Sequence, residues 1–488
     1  MRSVMTEIVT PQGRLRGVRR SSGSCAFLGV PFAEPPVGER RFAAPVPHRG
    51  WDGVRDATRP GATPQRRQLA EVTLIPEPSV PGESTLNVNV FTPSPEAEGL
   101  PVLVWIHGGG FVAGSPASPW YDGAAFNRDG VVTVTVSYRL GFDGFGWIDG
   151  APANRGVLDW LCALEWVRDN ISAFGGDPGR VAIAGQSAGG AAVLTLLGLP
   201  AAQGLFTAVH CLSGPIAHIT AEQAETFGRA MAERLGVPPT RAGLSTVDES
   251  RILAVQRELA PVGEPPADPV AAITGLAGGL TLGPVIDGDL IKLSTVDSLR
   301  AGCGADKPLV LGATDHEFAF GFARARDRLA AVPATDLLSA AGVPDAAGFV
   351  AAHPELDTAD LLGRYVTDQL FGVAVADIAD ARGDAPTWLY RFAWPSPVFG
   401  QAVHCLDVPF YFDCLDAEGV AAIAGPHPPR DLADEVHAAA VKLITTGDPG
   451  WPRRVGKVRV FDQPSGFGED TFRAARALLT DSARSSSR

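Results

Sequence analysis

Residues 181–197 read VAIAGQSAGGAAVLTLL: an apolar run, a serine set between glycines, then a second run of small and apolar residues. The first run is short and uninterrupted, as a strand buried on both faces should be. The second, from Ala188 onward, reads as a small-residue helix that starts at once. Strand, sharp turn and helix are the context in which Gly185-Gln186-Ser187-Ala188-Gly189 becomes a nucleophile elbow of G-x-S-x-G form. The glycines have a physical purpose there. The serine takes a strained backbone conformation, and side chains at 185 or 189 would collide with the adjoining strand and helix. A serine at a helix N-terminus also sits beside free backbone N–H groups and the positive end of the helix dipole, which suits a developing oxyanion. An N-cap serine in a glycine-rich turn is the competing reading of the bare pentapeptide; the flanking elements favour the nucleophile.

Upstream, LNVNVFTP (86–93), PVLVWIHGGGF (101–111) and VVTVTVSYRL (131–140) are β-branched or aromatic runs and are expected to be strands, the last two covered on both faces. Asn154 to Ile171 is predicted helical, with Leu158, Leu161, Leu164 and Val167 on one stripe. FGGDPGR (174–180) is expected to be a loop. Near the N-terminus, TEIVTPQGRLRGVRR (6–20) alternates like a half-exposed hairpin. The proline- and glycine-rich Gly29–Pro45 is expected to be neither regular helix nor central strand. Downstream, strands are expected at 281–286, 308–312, 387–392 and 457–461. Residues 216–280 and 320–385 are predicted to be helical insertions capping the sheet, and 481–488 a fraying polar tail.

His107-Gly108-Gly109-Gly110-Phe111 follows a buried strand directly, where an oxyanion loop should lie. Gly109 and Gly110 can present unobstructed N–H groups, with the Ala188 N–H as a third donor. His107 precedes the glycines and is expected to brace the loop. A serine nucleophile needs a base, and the base an orienting acid. Seven histidines follow Ser187, at 210, 218, 316, 353, 404, 427 and 437, so composition does not choose among them. His404 lies in a glycine-to-aromatic loop after a predicted strand. Glu317 and Asp315 both lie just beyond another, and the residues alone leave that contest open.

The bulk numbers limit the remaining classes. A length of 488 residues suggests two or three domains, or one large α/β fold with insertions. A formal net charge of −13 disfavours nucleic acid and anionic membrane surfaces as partners. Six cysteines without a CxxC pair give no zinc spacing, and no metal or organic cofactor is expected. Without a run of ~18 apolar residues no membrane span is expected. These features, with no signal-like N-terminal run, point to a cytoplasmic protein with free thiols.

Taken together, these motifs resemble the type-B carboxylesterase and cholinesterase family of α/β-hydrolases. The resemblance runs nearly end to end: GVPFAEPPVGERRFAAP is similar to its N-terminal signature, LNVNVFTP to its first buried strand, HGGGF to its oxyanion loop, and NRGVLDWLCALEWVRDNISAFGGDP to the segment before its elbow. LGPVIDG and TTGDPGWP match later landmarks. The resemblance implies an α/β-hydrolase fold, a large mostly parallel sheet flanked by helices with helical insertions over the active site, in one domain over residues 1–480. It carries the catalytic serine onto Ser187, the acid onto Glu317 and the base onto His404. It implies a serine carboxylesterase acting on a small-molecule ester through an acyl-enzyme, as monomer or homodimer. An amide, carbamate or large natural-product ester is an alternative substrate, and a catalytically silent binding protein an alternative role. Phe111, Trp147, Phe318 and Phe399 are candidate pocket walls, each equally a core aromatic.

Departures from the family pattern are specific. Gln186 stands where glutamate is usual, removing a negative charge, and Phe318 where glycine commonly follows the acid. Thr63 and Thr85 replace both partners of a disulfide found in secreted members. The loop between them has no tryptophan, so the aromatic cation platform of cholinesterases is missing and a choline ester is not the expected substrate.

Overall fold

The structure, a computed structural model describing residues 4–64, 74–261, 268–453 and 456–477, is organised around one thirteen-stranded sheet. In chain order the strands are β1 (Val4–Thr10), β2 (Gly13–Arg19), β3 (Cys25–Pro31), β4 (Val54–Asp56), β5 (Asn87–Thr92), β6 (Leu100–Ile106), β7 (Val132–Val136), β8 (Gly176–Gln186) and β9 (Ala208–Leu212). They continue with β10 (Ile219–Thr220), β11 (Val285–Ile286), β12 (Leu309–Thr314), β13 (Thr387–Phe392), β14 (Lys457–Phe461) and β15 (Gly466–Glu469). The spatial order is β1-β2-β3-β5-β7-β6-β8-β9-β12-β13-β14-β15, with β4 beside β2; β10 and β11 form a separate pair. From β7 through β14 every neighbouring pair is parallel. Both ends of the sheet are antiparallel.

The parallel strands are buried on both faces, which is why they read as continuous apolar runs. Val102, Val104 and Ile106 of β6 join one core cluster, while Leu103 and Trp105 join the other. Val181 and Ile183 of β8 likewise face away from Ala182 and Ala184. Two further core clusters serve the helical insertions: Met231, Leu244 and Ile252 of the first pack with Phe142, and Leu338, Phe349 and Leu362 of the second pack with Ile273 of the first. A buried ion pair fixes the end of β7 to the helix Arg155–Asn170, with Arg139 Nη2 on Asp159 Oδ1 at 2.6 Å.

The expected N-terminal hairpin forms as β1 and β2, and the strands expected at 387–392 and 457–461 match β13 and β14. Four expectations are corrected. The run Gly29–Pro45 is not loop throughout: its first three residues finish β3, an interior strand. A register shift between Phe27 and Val30 absorbs Gly29 as a bulge, and Pro31 is the last residue of the strand. FGGDPGR is not simply a loop, because β8 begins at Gly176 and takes up the extra residues as an irregularity against β6. Only Val285 and Ile286 of 281–286 are strand, and they lie off the main sheet. On the helix Arg155–Asn170 the buried stripe is Val157, Trp160, Ala163, Leu164 and Val167, leaving Leu158 and Leu161 half-buried. Aromatic Trp160 packs against Phe111 and Tyr138 and sets that phase. The predicted tail 481–488 lies outside the described residues.

Candidate active site

The segments that follow β6, β8, β12 and β13 carry the candidate triad and oxyanion residues, all at the carboxyl ends of parallel strands, where open α/β sheets place their ligand crevices. At the end of β8 the chain turns directly into the helix Ala188–Leu197, with Ser187 between them at φ 58° and ψ −124°. That left-handed φ is costly for a residue with a Cβ. It is held by the Ser187 N–H donating to Leu212 O of β9 at 2.9 Å and by the Ala191 N–H donating to Ser187 O at 2.9 Å. Close packing explains the glycines: a Cβ on Gly189 would lie 2.0 Å from Ile106 O, and one on Gly185 2.3 Å from Gly189 O. Along Val181–Leu199 Ser187 is the one residue that is not buried.

The glycine loop leaves β6 beside this turn. A Cβ on Gly108 would come within 2.7 Å of Gln186 O and 3.1 Å of Ser187 Cβ. Gly109, at φ +111°, accepts from the Val112 and Ala113 N–H groups at 3.1 and 2.9 Å. The N–H groups of Gly109 and Gly110 have no acceptor among the described residues. His107 braces the loop as expected, with Nδ1 donating to Gly108 O at 2.8 Å and its ring stacked on Tyr138 at 4.6 Å. Burial pushes this imidazole down to about 4, so it is neutral at ordinary pH.

Glu317 and His404 meet across 87 residues of sequence. The Glu317 carboxylate is fully buried: Oε1 accepts from the Thr314 N–H at 2.9 Å, and Oε2 accepts from His404 Nδ1. A main-chain bond from His404 N–H to Glu317 O, 2.9 Å, ties the two loops together. Asp315, its rival in the sequence, is engaged elsewhere, in a two-pronged pair with Arg391 of β13 at 2.6 and 2.8 Å. Burial pushes the His404 imidazole down, Cys405 and Glu317 push it up, and the balance lies well above the usual histidine range. Burial also raises the Cys405 thiol, which is uncharged at neutral pH, so the charge that the ring feels is that of Glu317.

The far nitrogen of the ring is occupied. His404 Nε2 lies 3.1 Å from Gln186 Nε2, and among the described residues no hydrogen bond joins the Ser187 hydroxyl to the imidazole. Phe318 and Phe371 rest against the ring, with centroids 4.5 and 5.3 Å away. Most other downstream histidines have different employment. His210 is buried edge-on to Tyr390 and Tyr411 and pushed down to about 3 by burial. His437 bonds Tyr411 O and Asp129, His353 bonds Phe349 O, and His316 Nδ1 accepts from Ala402 N–H. His427 is exposed and His218 half-buried.

Of the four aromatic candidates, Phe318 alone touches the imidazole. Phe111 is fully buried against Phe145 and Trp160. Trp147 lies beneath Arg229, and Phe399 packs on Phe320. Phe371 was not singled out by the sequence; it reaches the ring from a π-helical turn, Asp368–Gly372, inside a region expected only to be helical. A cavity of about 840 Å³ is lined by Val112 and Ala113 beside the glycine loop and by Arg41, Asp143 and Gln256, but not by Ser187, Glu317 or His404.

A family model described as the carboxylesterase family matches residues 4–338. The chain belongs to the carboxylesterase family. It is similar to the para-nitrobenzyl esterase of Bacillus subtilis (strain 168), 34% identical over 473 residues that cover 91% of this chain and 92% of that protein. It is also similar to the fumonisin B1 esterase of Sphingopyxis macrogoltabida, 31% identical over 94% of this chain and 87% of that protein. A crystal structure of a Geobacillus stearothermophilus carboxylesterase superposes with a TM-score of 0.83 at 33% identity, covering 97% of this chain and all of that one, 100%. This carboxylesterase therefore has the α/β-hydrolase fold and is a serine hydrolase of carboxylic esters.

Proposed function

We propose that this carboxylesterase works through Ser187, His404 and Glu317 with Gly109, Gly110 and Ala188 as oxyanion donors. The observation that carries the reading is the buried Glu317–His404 pair beside the one unburied residue of the elbow. Glu317 holds the Nδ1 proton, which leaves Nε2 to take the proton of Ser187. The Ser187 oxygen attacks the ester carbonyl, the charge that develops on the carbonyl oxygen is met by the three N–H groups, and the alcohol leaves with the proton from His404. Water then attacks the acyl carbonyl as His404 takes its proton, the same N–H groups meet the new oxyanion, and Ser187 leaves with the proton from His404 as the carboxylic acid is released. Each group is supplied by this chain.

The test is Ser187→Ala. Turnover of p-nitrophenyl acetate should fall by about 10⁴- to 10⁶-fold with the circular dichroism spectrum unchanged. A fluorophosphonate probe should label the native chain and leave the variant unlabelled; a variant that still turns over or still labels refutes the assignment.

Similarity to a fumonisin B1 esterase supports including a bulky natural-product ester in the substrate panel. We read residues 1–480 as one catalytic domain in which the helices of 216–280 and 320–385 lie over the site, and Phe371 supports this by reaching His404 from the second of them. A cytoplasmic location is supported by six free cysteines. Among the described residues no helix is long and apolar enough to cross a membrane.

A further inference from the structure

The contact between His404 and Gln186 involves two nitrogens 3.1 Å apart, and the identity of its donor follows from the rest of the ring. Nδ1 faces a carboxylate oxygen of Glu317 and so carries a proton. Nε2 then has a free lone pair if the ring is neutral, or a second proton if it is imidazolium. An amide nitrogen only donates. With Gln186 Nε2 on the ring, Nε2 of His404 accepts, an arrangement that favours the neutral ring against the upward push of Glu317. Gln186 is itself buried, with 1% of its surface exposed, at the last residue of β8. Its Oε1 is turned toward Gly108.

We infer that Gln186 is a positioning residue for the base: its amide N–H holds the His404 lone pair, favouring the neutral ring and keeping it in place until the Ser187 hydroxyl takes over the bond. The inference rests on the reading of His404 as base given above. The groups that face the ring differ in what they favour. Glu317, from the loop after β12, favours the charged ring. Asp407, on the histidine's own loop and bonded by Tyr390 of β13 at 3.0 Å, is a second acid nearby. Cys405 adjoins the ring as a neutral thiol. Phe318 and Phe371 contribute apolar surface. Gln186 donates its amide N–H to Nε2, and that hydrogen bond selects the neutral form. A glutamate in its place offers acceptors only, which suits the imidazolium and would hold the base in its spent state at low pH. The substitution that separates this chain from the usual family pattern thus extends the active range toward acid.

The experiment is a titration of His404 by ¹³C NMR on protein labelled at histidine Cε1, with the resonance assigned by its loss in His404→Gln. Native protein is compared with Gln186→Met, which keeps volume but not the donor, and with Gln186→Glu. The apparent pKa should rise in the order native, Met, Glu, the last by roughly one to three units, a ten- to thousandfold loss of neutral ring at a fixed acidic pH. The acid limb of kcat/KM for p-nitrophenyl acetate should move upward in the same order. Coincident titrations in all three proteins, or a lower value in Gln186→Glu, overturn the inference. The NMR titration needs no turnover, so a protein that fails to hydrolyse esters would refute the catalytic reading separately.

Discussion

At the scale of the residue, the site is a question of which side chains find each other. Glu317 is committed twice, to a main-chain N–H and to His404, and a carboxylate so placed both orients the ring and stabilises its charged form. Glu317→Gln should therefore lower kcat by on the order of 10⁴, the scale found when a triad acid is replaced by its amide. It should also shift the residual acid limb to lower pH, because the upward push on the imidazole is gone. A pH–rate profile reads both effects; an unchanged limb would show that Glu317 does not set the charge of the ring. Neither the Glu317–Asp315 contest nor the choice among seven histidines is decided by residue type. What separates them is employment: Asp315 is held by Arg391, and His210 is walled in by tyrosines.

At the scale of the element, the elbow is legible because its constraints are local. A strand, a serine and a helix within 17 residues need glycine where main chains approach, and Gly189 meets Ile106 O at a distance no side chain tolerates. Gly189→Ala should destabilise by about 3 kcal/mol or more, since the obstacle is backbone and cannot rotate away. Urea unfolding, or loss of soluble expression, checks this; a midpoint equal to that of the native chain would mean that the turn is looser than described. Strand identity was likewise readable wherever apolar runs were continuous. It failed at Gly29–Pro31 and Gly176–Arg180, where bulges let a sheet accept residues that local rules exclude. The phase of the helix Arg155–Asn170 was missed by one residue because tryptophan packing, which local spacing does not contain, chose the buried face.

At the scale of the whole molecule, burial of ionisable groups couples stability to pH. His107 and His210 are held near 4 and 3 in the fold against an ordinary 6.5. Unfolding lets each take up a proton below about 6.5, so each favours unfolding as pH falls from there toward its folded value. Asp407 acts oppositely: pushed up to about 7 from 3.8, it keeps its proton in the fold and releases it on unfolding across that interval. Each buried histidine on its own contributes an uptake approaching one proton between its folded value and about 6.5, a loss of up to about 1.4 kcal/mol per pH unit on acidification. Urea unfolding at pH 7, 6 and 5 should show His210→Gln losing less stability on acidification than the native chain, by about 1 kcal/mol per pH unit below pH 6.5; an equal slope in the variant would count against a neutral buried His210. By itself the sequence determined the elbow, the glycine loop and the parallel strands, because backbone sterics and apolar spacing act over a few residues. Tertiary structure alone decided that Glu317 faces His404 across 87 positions, that Gln186 reaches the same ring across 218, and that Phe371 lies against it. Those pairings depend on the order in which strands assemble in the sheet, and no short-range property of the chain encodes that order.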